Sequence, residues 1–317
     1  MSVTVVVPTC NRRAWADELV SALQAQTWED LRFVVVDDGS VDGTEDAWRA
    51  AAAGDDRFRF ARTDRGGPAV ARNAALGELT TEWVAFTDDD CLPTPGWVEA
   101  LVRRATESGA TVVQGLTRPH PAVDRTRLPW WSRSMTITSW SGRFQTCNLL
   151  VRREALLAVG GFDVRFPHFG EDTDLGLRLV ARGEGVAFAP DAVVHHRIIP
   201  MTYREFLRRR YRWAQVVQLV AVNPDARRVF PMRYVAYRLH LVFWLGIPVV
   251  GWSVANRRPW LPVVLAVALG HRQARRSPSK GRSVPVATLY GTAELGGVAA
   301  SAIGFLVQSL RHRRVLL

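Results

Sequence analysis

An acidic triplet, Asp88-Asp89-Asp90, directly follows the apolar segment 83–87. Three adjacent carboxylates repel one another, so a cation that neutralises them is favoured. Carboxylate oxygens suit Mg²⁺ and Mn²⁺, and Mg²⁺ typically takes one or two of them and completes its shell with phosphate oxygens and water. A solvated acidic turn has the same composition, so the triplet alone does not separate the two interpretations.

A second acidic pair, Asp37 and Asp38, follows the apolar segment 32–36 and precedes Gly39 and Ser40. A carboxylate at this position can accept a hydrogen bond from a nucleobase N–H or from a ribose hydroxyl. The same residues also suit a turn that caps the following helix. Both interpretations can hold at once, with the two aspartates in different roles.

Two further stretches carry groups that can contact a nucleotide. Residues 8–12 end the first apolar segment, where backbone amides and the Arg12 guanidinium can face a base or a phosphate. Gly66 and Gly67 allow a ligand to approach the backbone, and they open a helix that carries Arg72. A glycine-rich turn of this kind is weak evidence by itself.

The first 120 residues alternate between apolar segments typical of strands and segments with helical spacing. Continuous apolar strands separated by helices indicate a parallel sheet covered by helices on both faces. Ligands of such sheets bind beyond the carboxyl ends of the strands, so the two acidic clusters can share one crevice. The strands are predicted at residues 2–7, 32–36, 58–61 and 83–87, and the helices at 13–26, 42–53 and 68–76.

The next part of the chain contains a third acidic feature. Strands are predicted at 111–116 and 146–152, followed by a helix at 171–182 whose first turn carries Glu171 and Asp172. Negative side chains in a first turn are stabilised by the helix dipole whatever their function. The pair is therefore a candidate for catalysis or for a plain helix cap.

Charge is distributed unevenly over the 317 residues. Residues 1–200 carry 22 Arg or Lys against 27 Asp or Glu, whereas residues 201–317 carry 19 against 3. We therefore divide the chain into a catalytic domain, 1–200, and a basic tail, 201–317. The tail is expected to contact an anionic surface, which is either lipid headgroups or nucleic acid.

Long apolar runs interrupt the basic residues of the tail, after an amphipathic helix predicted at 201–222. A bilayer-spanning helix needs about 20 apolar residues, so 284–310 is the best spanning candidate. The shorter runs 239–255 and 260–270 are predicted to be re-entrant or interfacial helices. Such runs suit lipid better than a solvated phosphate groove, which favours a membrane surface and no nucleic acid as the partner.

Three cysteines, Cys10, Cys91 and Cys147, lie far apart in the sequence. Their odd number and wide spacing argue against a disulfide framework or a zinc site and favour a reducing compartment. The apolar run at the N-terminus is too short for a secretory signal. We therefore expect the catalytic domain at the cytoplasmic face of the cell membrane.

The ordered set VVVPTCNR, VVVDDGS, GGPAVARNAAL, FTDDDC and GGFDVRFPHFGEDTDLGLRL resembles the family 2 glycosyltransferases over roughly residues 1–200. The resemblance implies the α/β GT-A fold, with a Rossmann-like, mostly parallel central sheet and helices on both faces. It also implies inverting transfer from a nucleoside-diphosphate sugar, dependent on Mg²⁺ or Mn²⁺. With the tail at a membrane, the expected acceptor is a hydroxyl of a lipid-linked or cell-envelope glycan.

The resemblance also gives individual residues a role. Asp172, with Glu171 beside it, matches the catalytic base, and Asn148 matches a position near the sugar and the acceptor. A metal-ligating histidine is implied at the pair 195–196, where either residue can serve and we choose His195. The expected metal ligands are Asp90, Asp88 and His195, and the expected donor-binding residues are Pro8, Thr9, Asn11, Arg12, Asp38, Arg72, Asp88 and, as a neighbour more than a ligand, Asp89.

The chemistry of inversion agrees with the role of Asp172. Inversion requires one in-line displacement, so a base must hold the acceptor hydroxyl opposite the leaving diphosphate. A metal ion stabilises the charge that develops on the leaving group. Neighbouring carboxylates such as Glu171 are expected to raise the pKa of Asp172 towards a useful value.

Arg212 and Trp213 match the end of the QxxRW motif of processive synthases in the same superfamily, but Arg209 stands where the motif has Gln. This departure weakens a polymer-synthase interpretation. Trp213 stays a candidate acceptor platform, and a helix that docks on lipid or on the catalytic domain explains the segment equally well.

Two other functions compete with glycosyl transfer. A sugar nucleotidyltransferase also uses metal-binding carboxylates at a parallel sheet, but it leaves the pair Glu171-Asp172 unexplained. A non-enzymatic nucleic-acid-binding protein would explain the arginines of the tail, but not its apolar runs.

Overall fold

The computed structural model divides into two compact units. The first unit comprises residues 1–121 and 134–198, and the second comprises 122–133 and 199–317. The division near residue 200 thus agrees with the change in charge, while the segment 122–133 joins the second unit. The structure describes residues 1–124, 128–129, 131–166, 169–230, 238–258, 260, 264, 267–268 and 284–316.

A mixed sheet forms the centre of the first unit. Its strands are β1 (Val3–Thr9), β2 (Leu31–Asp38), β3 (Phe58–Thr63), β4 (Trp83–Phe86), β5 (Cys91–Pro93), β6 (Val112–Pro119), β7 (Leu149–Arg152) and β8 (Val186–His196). They lie in the order β3-β2-β1-β4-β7-β6-β8-β5. β1 to β4 are parallel and β6 is parallel to β8, whereas β7 and β5 are antiparallel to their neighbours. The predicted α/β class with a mostly parallel sheet is confirmed.

The carboxyl ends of β1, β2 and β4 meet at one edge of this sheet. Thr9 is the register partner of Asp37, and Phe86, the last residue of β4, is the partner of Val6. All residues of β1 and β4 and all but Arg32 of β2 are buried, which is why these strands are mostly apolar. Residues 9–12, 37–40 and 87–90 therefore lie at the same edge, as the sequence predicted.

Helices cover both faces of the sheet because successive residues of a strand point to opposite faces. The helices of the first unit are α1 (Arg13–Gln24), α2 (Thr44–Gly54), α3 (Pro68–Ala74), α4 (Trp97–Ser108), α5 (Arg153–Ala158) and α6 (Glu171–Ala181). Val5 and Val7 belong to one hydrophobic core with α1, α2 and α4, whereas Val6 belongs to a second core with α3, α5 and α6.

The second unit is helical. It contains α7 (Tyr203–Arg212), α8 (Val217–Val222), α9 (Arg238–Ala255) and α10 (Val284–His312), with a 3₁₀ turn, Trp213–Val216, between α7 and α8. α7 begins at a capping box, in which Thr202 and Glu205 each bond to the backbone amide of the other. The predicted helix at 201–222 is therefore present as two helices joined by a tighter turn.

α10 packs against α7 within the second unit. Tyr203 Oη donates a 2.8 Å hydrogen bond to the carbonyl oxygen of Ala293, and Arg210 forms an ion pair with Glu294. Arg210 lies on the apolar side of α7, and this ion pair explains its position there. Glycines allow the close approach, since a Cβ added at Gly297 would lie 2.6 Å from the Phe206 ring.

Two helices of the second unit are strongly apolar. Within the described residues, Ala293–His312 is the stretch that is long and apolar enough to cross a membrane by length and composition, and 44% of its most apolar window is buried. α9 is shorter and largely exposed. The predicted run 260–270 and the basic residues that follow it lie largely outside the described residues. α9 exposes Leu245, Ile247, Val249, Val250, Trp252 and Val254.

Candidate active site

A single arginine joins two of the acidic features. Arg72 of α3 donates from Nη2 to Asp88 Oδ1 at 2.8 Å and from Nη1 to Glu171 Oε1 at 3.1 Å. Burial acts to lower the pKa of Arg72, but the charges of Asp88 and Glu171 outweigh it and raise the pKa. The Arg72 guanidinium thus lies between two carboxylates. The sequence analysis expected Arg72 beside the nucleoside and did not predict this position.

Glu171 and Asp172 form the first turn of α6, directly after Gly170, whose φ of 102° is left-handed. The backbone amide of Thr173 donates to Asp172 Oδ1 at 2.7 Å. Burial, and then the neighbouring charge of Glu171, raise the pKa of Asp172 to about 8, against the opposing charge of Arg72. A carboxyl group with a pKa of about 8 is mostly protonated at pH 7, and it can serve as a base for an acceptor hydroxyl in its ionised form, as the pH approaches that pKa.

Asp89 connects the triplet to the loop after β1. Its Oδ2 accepts a 3.1 Å hydrogen bond from the amide of Cys10, and its Oδ1 lies 3.4 Å from Arg12 Nε. Burial and the charge of Asp90 raise the pKa of Asp89 to about 7, while the Arg12 guanidinium opposes them. Asp89, the middle residue of the triplet, therefore ties the triplet to the loop after β1, a role that the sequence did not indicate.

Asp90 lies beside a histidine and a cysteine, all three of them buried. Its Oδ1 is 3.4 Å from His196 Nε2 and 3.7 Å from Cys91 Sγ. His196 Nδ1 lies 2.7 Å from the carbonyl oxygen of Arg197, which can only accept, so Nδ1 carries the proton and donates. Nε2 of a neutral His196 then turns its lone pair towards a carboxylate oxygen, an arrangement that a cation between the two stabilises.

The expectation that His195 is the metal ligand is corrected. Adjacent residues of β8 point to opposite faces, so His195 lies away from Asp90, where its ring packs 5.8 Å from the ring of His120. Burial, with the charges of His120 and Arg118, lowers the pKa of His195. His196 faces the same side as the buried Ala192 and Val194. Residues 192–194 are all apolar, so the sequence before the histidine pair carries no alternation that could have identified it.

These residues fit the divalent ion that the resemblance implies. Asp90 and His196 supply an oxygen and a nitrogen on one side of the triplet, with the histidine fixed by its second nitrogen as metal-ligating histidines usually are. Asp88 lies next to them but already has Arg72 as its counter-ion. Asp90 and His196 are therefore the residues that would hold the ion most directly.

Asp38 holds the glycine turn that precedes α3. Its carboxylate accepts hydrogen bonds of 2.8 Å from the amides of both Gly66 and Gly67, and Thr63 Oγ1 donates a third at 3.0 Å. Asp37 is fully buried and pairs with Arg62 at 2.5 Å. The two aspartates thus have different roles, and that of Asp38 in this structure is to position the turn.

The loop after β1 presents the remaining donor-binding candidates. Pro8 is buried inside β1. Thr9 Oγ1 is buried without a hydrogen-bond partner among the described residues, which points to a ligand or water as its partner. Asn11 has a φ of 53° and accepts a 2.9 Å hydrogen bond from the amide of Val41, while the Arg12 guanidinium stacks 4.8 Å from the Trp15 ring.

The expectation that Asn148 contacts the acceptor is corrected. Asn148 has no exposed surface, and its side chain is fully bonded inside the protein. Trp97 Nε1 donates to its Oδ1 at 2.8 Å, and its Nδ2 donates to the carbonyl oxygens of Leu116 and Ala192 at 2.9 Å each. The amide therefore joins α4, β6 and β8 below the site and has no group left for a substrate.

Trp213 belongs to the second unit and lies in the 3₁₀ turn between α7 and α8. Its ring centroid is 5.3 Å from that of Phe305 in α10. This contact accounts for its half-buried state inside the helical unit. Its proposed role as an acceptor platform stays a prediction.

Comparison with known proteins identifies relatives of this chain. The sequence model of Glycosyl transferase family 2 matches residues 4–166, and that of Glycosyl transferase family 21 matches residues 138–268. A mannosyltransferase from Pyrobaculum calidifontis, solved in complex with GDP-Man and Mn²⁺, has a similar fold, with a TM-score of 0.68 at 24% identity. That similarity covers 96% of this chain and 87% of the other.

Two curated relatives share part of the sequence. The pre-mycofactocin glycosyltransferase of Mycobacterium tuberculosis is 32% identical over 61% of this chain and 42% of its own length. A GalNAc(5)-diNAcBac-PP-undecaprenol beta-1,3-glucosyltransferase of Campylobacter jejuni is 32% identical over 34% of this chain and 36% of its own length. The chain thus spans less than half the length of each of these relatives.

Proposed function

Because the chain belongs to glycosyltransferase family 2, we propose that it is an inverting, metal-dependent enzyme that moves a sugar from a nucleoside-diphosphate sugar to an acceptor hydroxyl. The observation that carries this proposal is the bridge Asp88–Arg72–Glu171. The bridge brings the strand-end triplet and the start of α6 into one cluster. An in-line displacement needs this proximity, because the leaving group and the base act on opposite sides of one reacting carbon.

The donor side of the proposed site consists of the triplet and the loop after β1. The Thr9 hydroxyl, which has no partner in the described part of the chain, lies at the same sheet edge as Asp88–Asp90 and the loop at Asn11 and Arg12. These groups are proposed to bind the nucleoside diphosphate. A divalent ion held by Asp90 and His196 would supply positive charge that stabilises the leaving diphosphate. Mn²⁺ is the first ion to test, because the similar mannosyltransferase was solved with it.

The acceptor side is proposed to centre on Asp172. Its raised pKa lets it take the proton of the acceptor hydroxyl as the oxygen attacks the sugar. Glu171 is proposed to act on Asp172 indirectly. Its negative charge is one cause of the raised pKa, while Arg72 balances that charge on the other side.

The identity of the donor is proposed from the similar structure. The mannosyltransferase from Pyrobaculum calidifontis was solved with GDP-Man, so a hexosyl or deoxyhexosyl donor of a nucleoside diphosphate is the class to test. The acceptor is proposed to be a lipid-linked or cell-envelope glycan. The name of the Campylobacter relative, which describes an undecaprenol-diphosphate-linked substrate, supports that class.

The second unit is proposed to bind the membrane through α9. Its exposed apolar side chains include Leu245, 62% exposed, on one side and Ile247, 51% exposed, on the opposite side. Exposed apolar side chains on two sides of one helix need a cover of lipid or protein, and we propose lipid. The exposed Arg257 and Arg258 that follow it suit anionic headgroups.

We propose the cytoplasmic face of that membrane, because Cys10, Cys91 and Cys147 are all free thiols. A reducing compartment keeps such thiols unpaired. The side of the membrane is open to test with a thiol reagent that does not cross lipid. Labelling of the half-buried Cys10 only after the membrane is opened would support the cytoplasmic side.

A direct test of the function uses the full chain in detergent or lipid. A panel of nucleoside diphosphates and nucleotide sugars is screened with and without Mn²⁺ by thermal shift, since a ligand of the native state raises the melting temperature by mass action. The donor identified in this way is then incubated with lipid-linked glycans, and the nucleotide product is measured. Release of a nucleoside diphosphate supports the proposal, whereas release of inorganic pyrophosphate would identify a nucleotidyltransferase instead.

A further inference from the structure

We propose that the exposed indole of Trp140 is a platform on which a sugar ring of the acceptor stacks. Trp140 lies in the connection between β6 and β7 and is 39% exposed. Its ring meets the ring of the buried Phe144 edge to face, with the ring centroids 4.4 Å apart. The inference rests on the proposed function, because it takes Asp172 to be the base that acts on the acceptor.

The connection that carries the indole is fastened to the first turns of α6, whose second residue is Asp172. Thr173 Oγ1 donates a 2.8 Å hydrogen bond to the carbonyl oxygen of Arg143. One turn later, a Cβ added at Gly176 would lie 1.9 Å from two ring carbons of Phe144, so the ring occupies the space of a side chain there. Gly176 follows Asp172 by four residues, which is about 6 Å along the helix axis. The platform is therefore attached to the helix that carries the proposed base.

Two locally unfavourable features accompany the contact between this connection and α6. Phe144 has a φ of 53°, in the left-handed region that bulky side chains rarely adopt. Gly176 lies inside α6, where glycine lowers the stability of a helix relative to alanine. Backbone strain of the kind seen at Phe144 persists only where the surrounding structure fixes it, and it clusters at ligand sites. The packing of Phe144 on α6 thus gives the exposed indole a fixed base.

The neighbours of the indole in the sequence favour a sugar over a lipid chain or a protein partner. Ser139 and Ser141 flank Trp140, and both are exposed. A lipid chain or a protein needs a contiguous apolar patch, which one ring between two serines does not provide. A pyranose ring has an apolar face of C–H bonds and a rim of hydroxyls. The electron-rich face of the indole attracts those C–H bonds, and the serine hydroxyls can bond to the rim.

Stacking on Trp140 predicts a specific kinetic signature. A contact that is equally strong in the ground state and in the transition state contributes to KM and leaves kcat unchanged. Trp140→Ala should therefore raise the KM for the acceptor about 3- to 10-fold, the usual effect of losing one aromatic stacking contact. The affinity for the donor should stay as in the wild-type protein, since the platform binds the acceptor alone.

The first test measures sugar binding directly. Methyl glycosides of mannose, glucose, galactose and N-acetylgalactosamine are added to the full-length protein, in a detergent without a sugar headgroup, and saturation transfer from protein to sugar protons is measured by NMR. We expect transfer to the C–H protons of at least one glycoside in the wild-type protein and in Trp140→Phe, and its loss in Trp140→Ala. Trp28→Ala is the matched control and should keep the signal, because Trp28 precedes β2 and its indole N–H bonds to the carbonyl oxygen of Met1. No signal with any glycoside, an equal signal in Trp140→Ala, or loss only in Trp213→Ala would overturn the proposal.

A second variant covers the case in which Trp140→Ala does not fold. Trp140→Leu keeps an apolar side chain against Phe144 but has no aromatic face, so the NMR signal should still be lost, and a retained signal would contradict the platform. The NMR measurement needs no donor and no transfer. A signal that depends on Trp140 in a protein without transferase activity would therefore refute the proposed function alone, whereas transfer without such a signal would refute the platform alone.

Discussion

Arg72 donates a hydrogen bond of 3.1 Å to Glu171, although 99 residues separate the two in sequence. The same guanidinium bonds to Asp88, so one buried cation serves a carboxylate of the triplet and a carboxylate of α6. Buried ion pairs contribute little net stability, because desolvation of the charges offsets their attraction. The bridge is therefore better understood as a device that positions the two halves of the proposed site.

Replacement of Arg72 by lysine tests whether the bridge needs the shape of the guanidinium or only its positive charge. Lysine keeps the positive charge but lacks the planar fork that reaches two carboxylates at once. We expect kcat/KM for transfer to fall about 10- to 100-fold, as is typical when a residue that orients site ligands is lost. The control is Arg178→Lys, since Arg178 pairs with Asp174 in the same part of the protein but outside the bridge. Equal losses in the two variants would mean that the bridge has no special role.

Replacement of Asp172 by asparagine should remove the base and leave donor binding intact. General-base catalysis contributes about 10²- to 10⁴-fold, so kcat should fall within that range. Asp174→Asn is the matched control, because Asp174 lies in the same helical turn and pairs with Arg178. If both variants lose the same activity, the acidic turn is only a helix cap. Calorimetry of the donor with each variant checks that the loss lies in the acceptor step.

The same variant should change how stability depends on pH. The pKa of Asp172 is raised from 3.8 to about 8 in the folded protein, so the folded state holds a proton that the unfolded state releases. The wild-type protein therefore loses stability as the pH rises from about 4 to about 8, and Asp172→Asn does not share this loss. The melting-temperature difference in favour of the variant should grow over that range and level off above it. A difference independent of pH would show that the pKa is not raised.

The choice between the two histidines is testable through Mn²⁺. His196→Ala should weaken Mn²⁺-dependent donor binding at least tenfold, because His196 faces Asp90. His195→Ala should bind the donor as the wild-type protein does, since its ring lies against His120. Titration calorimetry with the donor at several Mn²⁺ concentrations gives both values. The reverse order would restore His195 as the ligand.

If α9 binds the membrane, one charged residue introduced on its exposed apolar surface should strongly weaken binding to lipid vesicles. Trp252 is 55% exposed, and its replacement by glutamate should reduce flotation with vesicles of anionic lipid about tenfold or more, since a charge placed in lipid costs about 2.5–3.5 kcal/mol. Leu157→Glu is the control, because Leu157 is 41% exposed in the first unit. Unchanged flotation of the Trp252 variant would exclude α9 as the membrane-binding helix.

The sheet edge was predictable because strand, turn and acidic residue follow one another directly in the sequence. The positions of Asp38 and Asp90 needed only the rule that parallel strands end at one edge. Asn148 was misjudged because its partners, the Trp97 indole and two backbone carbonyls, come from segments whose packing no local pattern reveals. The bridge through Arg72 was hidden for the same reason.

His195 shows a different kind of error. A choice between two neighbouring residues of a strand selects one of two opposite faces. Residues 192–194 are all apolar, so the sequence did not distinguish the faces, which differ only in the burial pattern of β8. β5 was missed because three residues are too few to show any period, yet its register with β8 is what places Cys91 beside His196. Short strands such as β5 can therefore position site residues although their sequences are too short to be recognised as strands.

The apolar helices α9 and α10 should differ in how many amino-acid substitutions they accept, because the glycines of α10 lie against neighbouring side chains and backbone. A Cβ at Gly304 would lie 2.7 Å from the carbonyl oxygen of Tyr211, so even alanine should displace α7 there. Among the residues that the structure describes, none lies within 4 Å of a Cβ added at Gly246 or Gly251 in α9, so one apolar residue should be able to replace another there. Saturation mutagenesis should therefore find α10 intolerant at its glycines and α9 selective only for hydrophobicity.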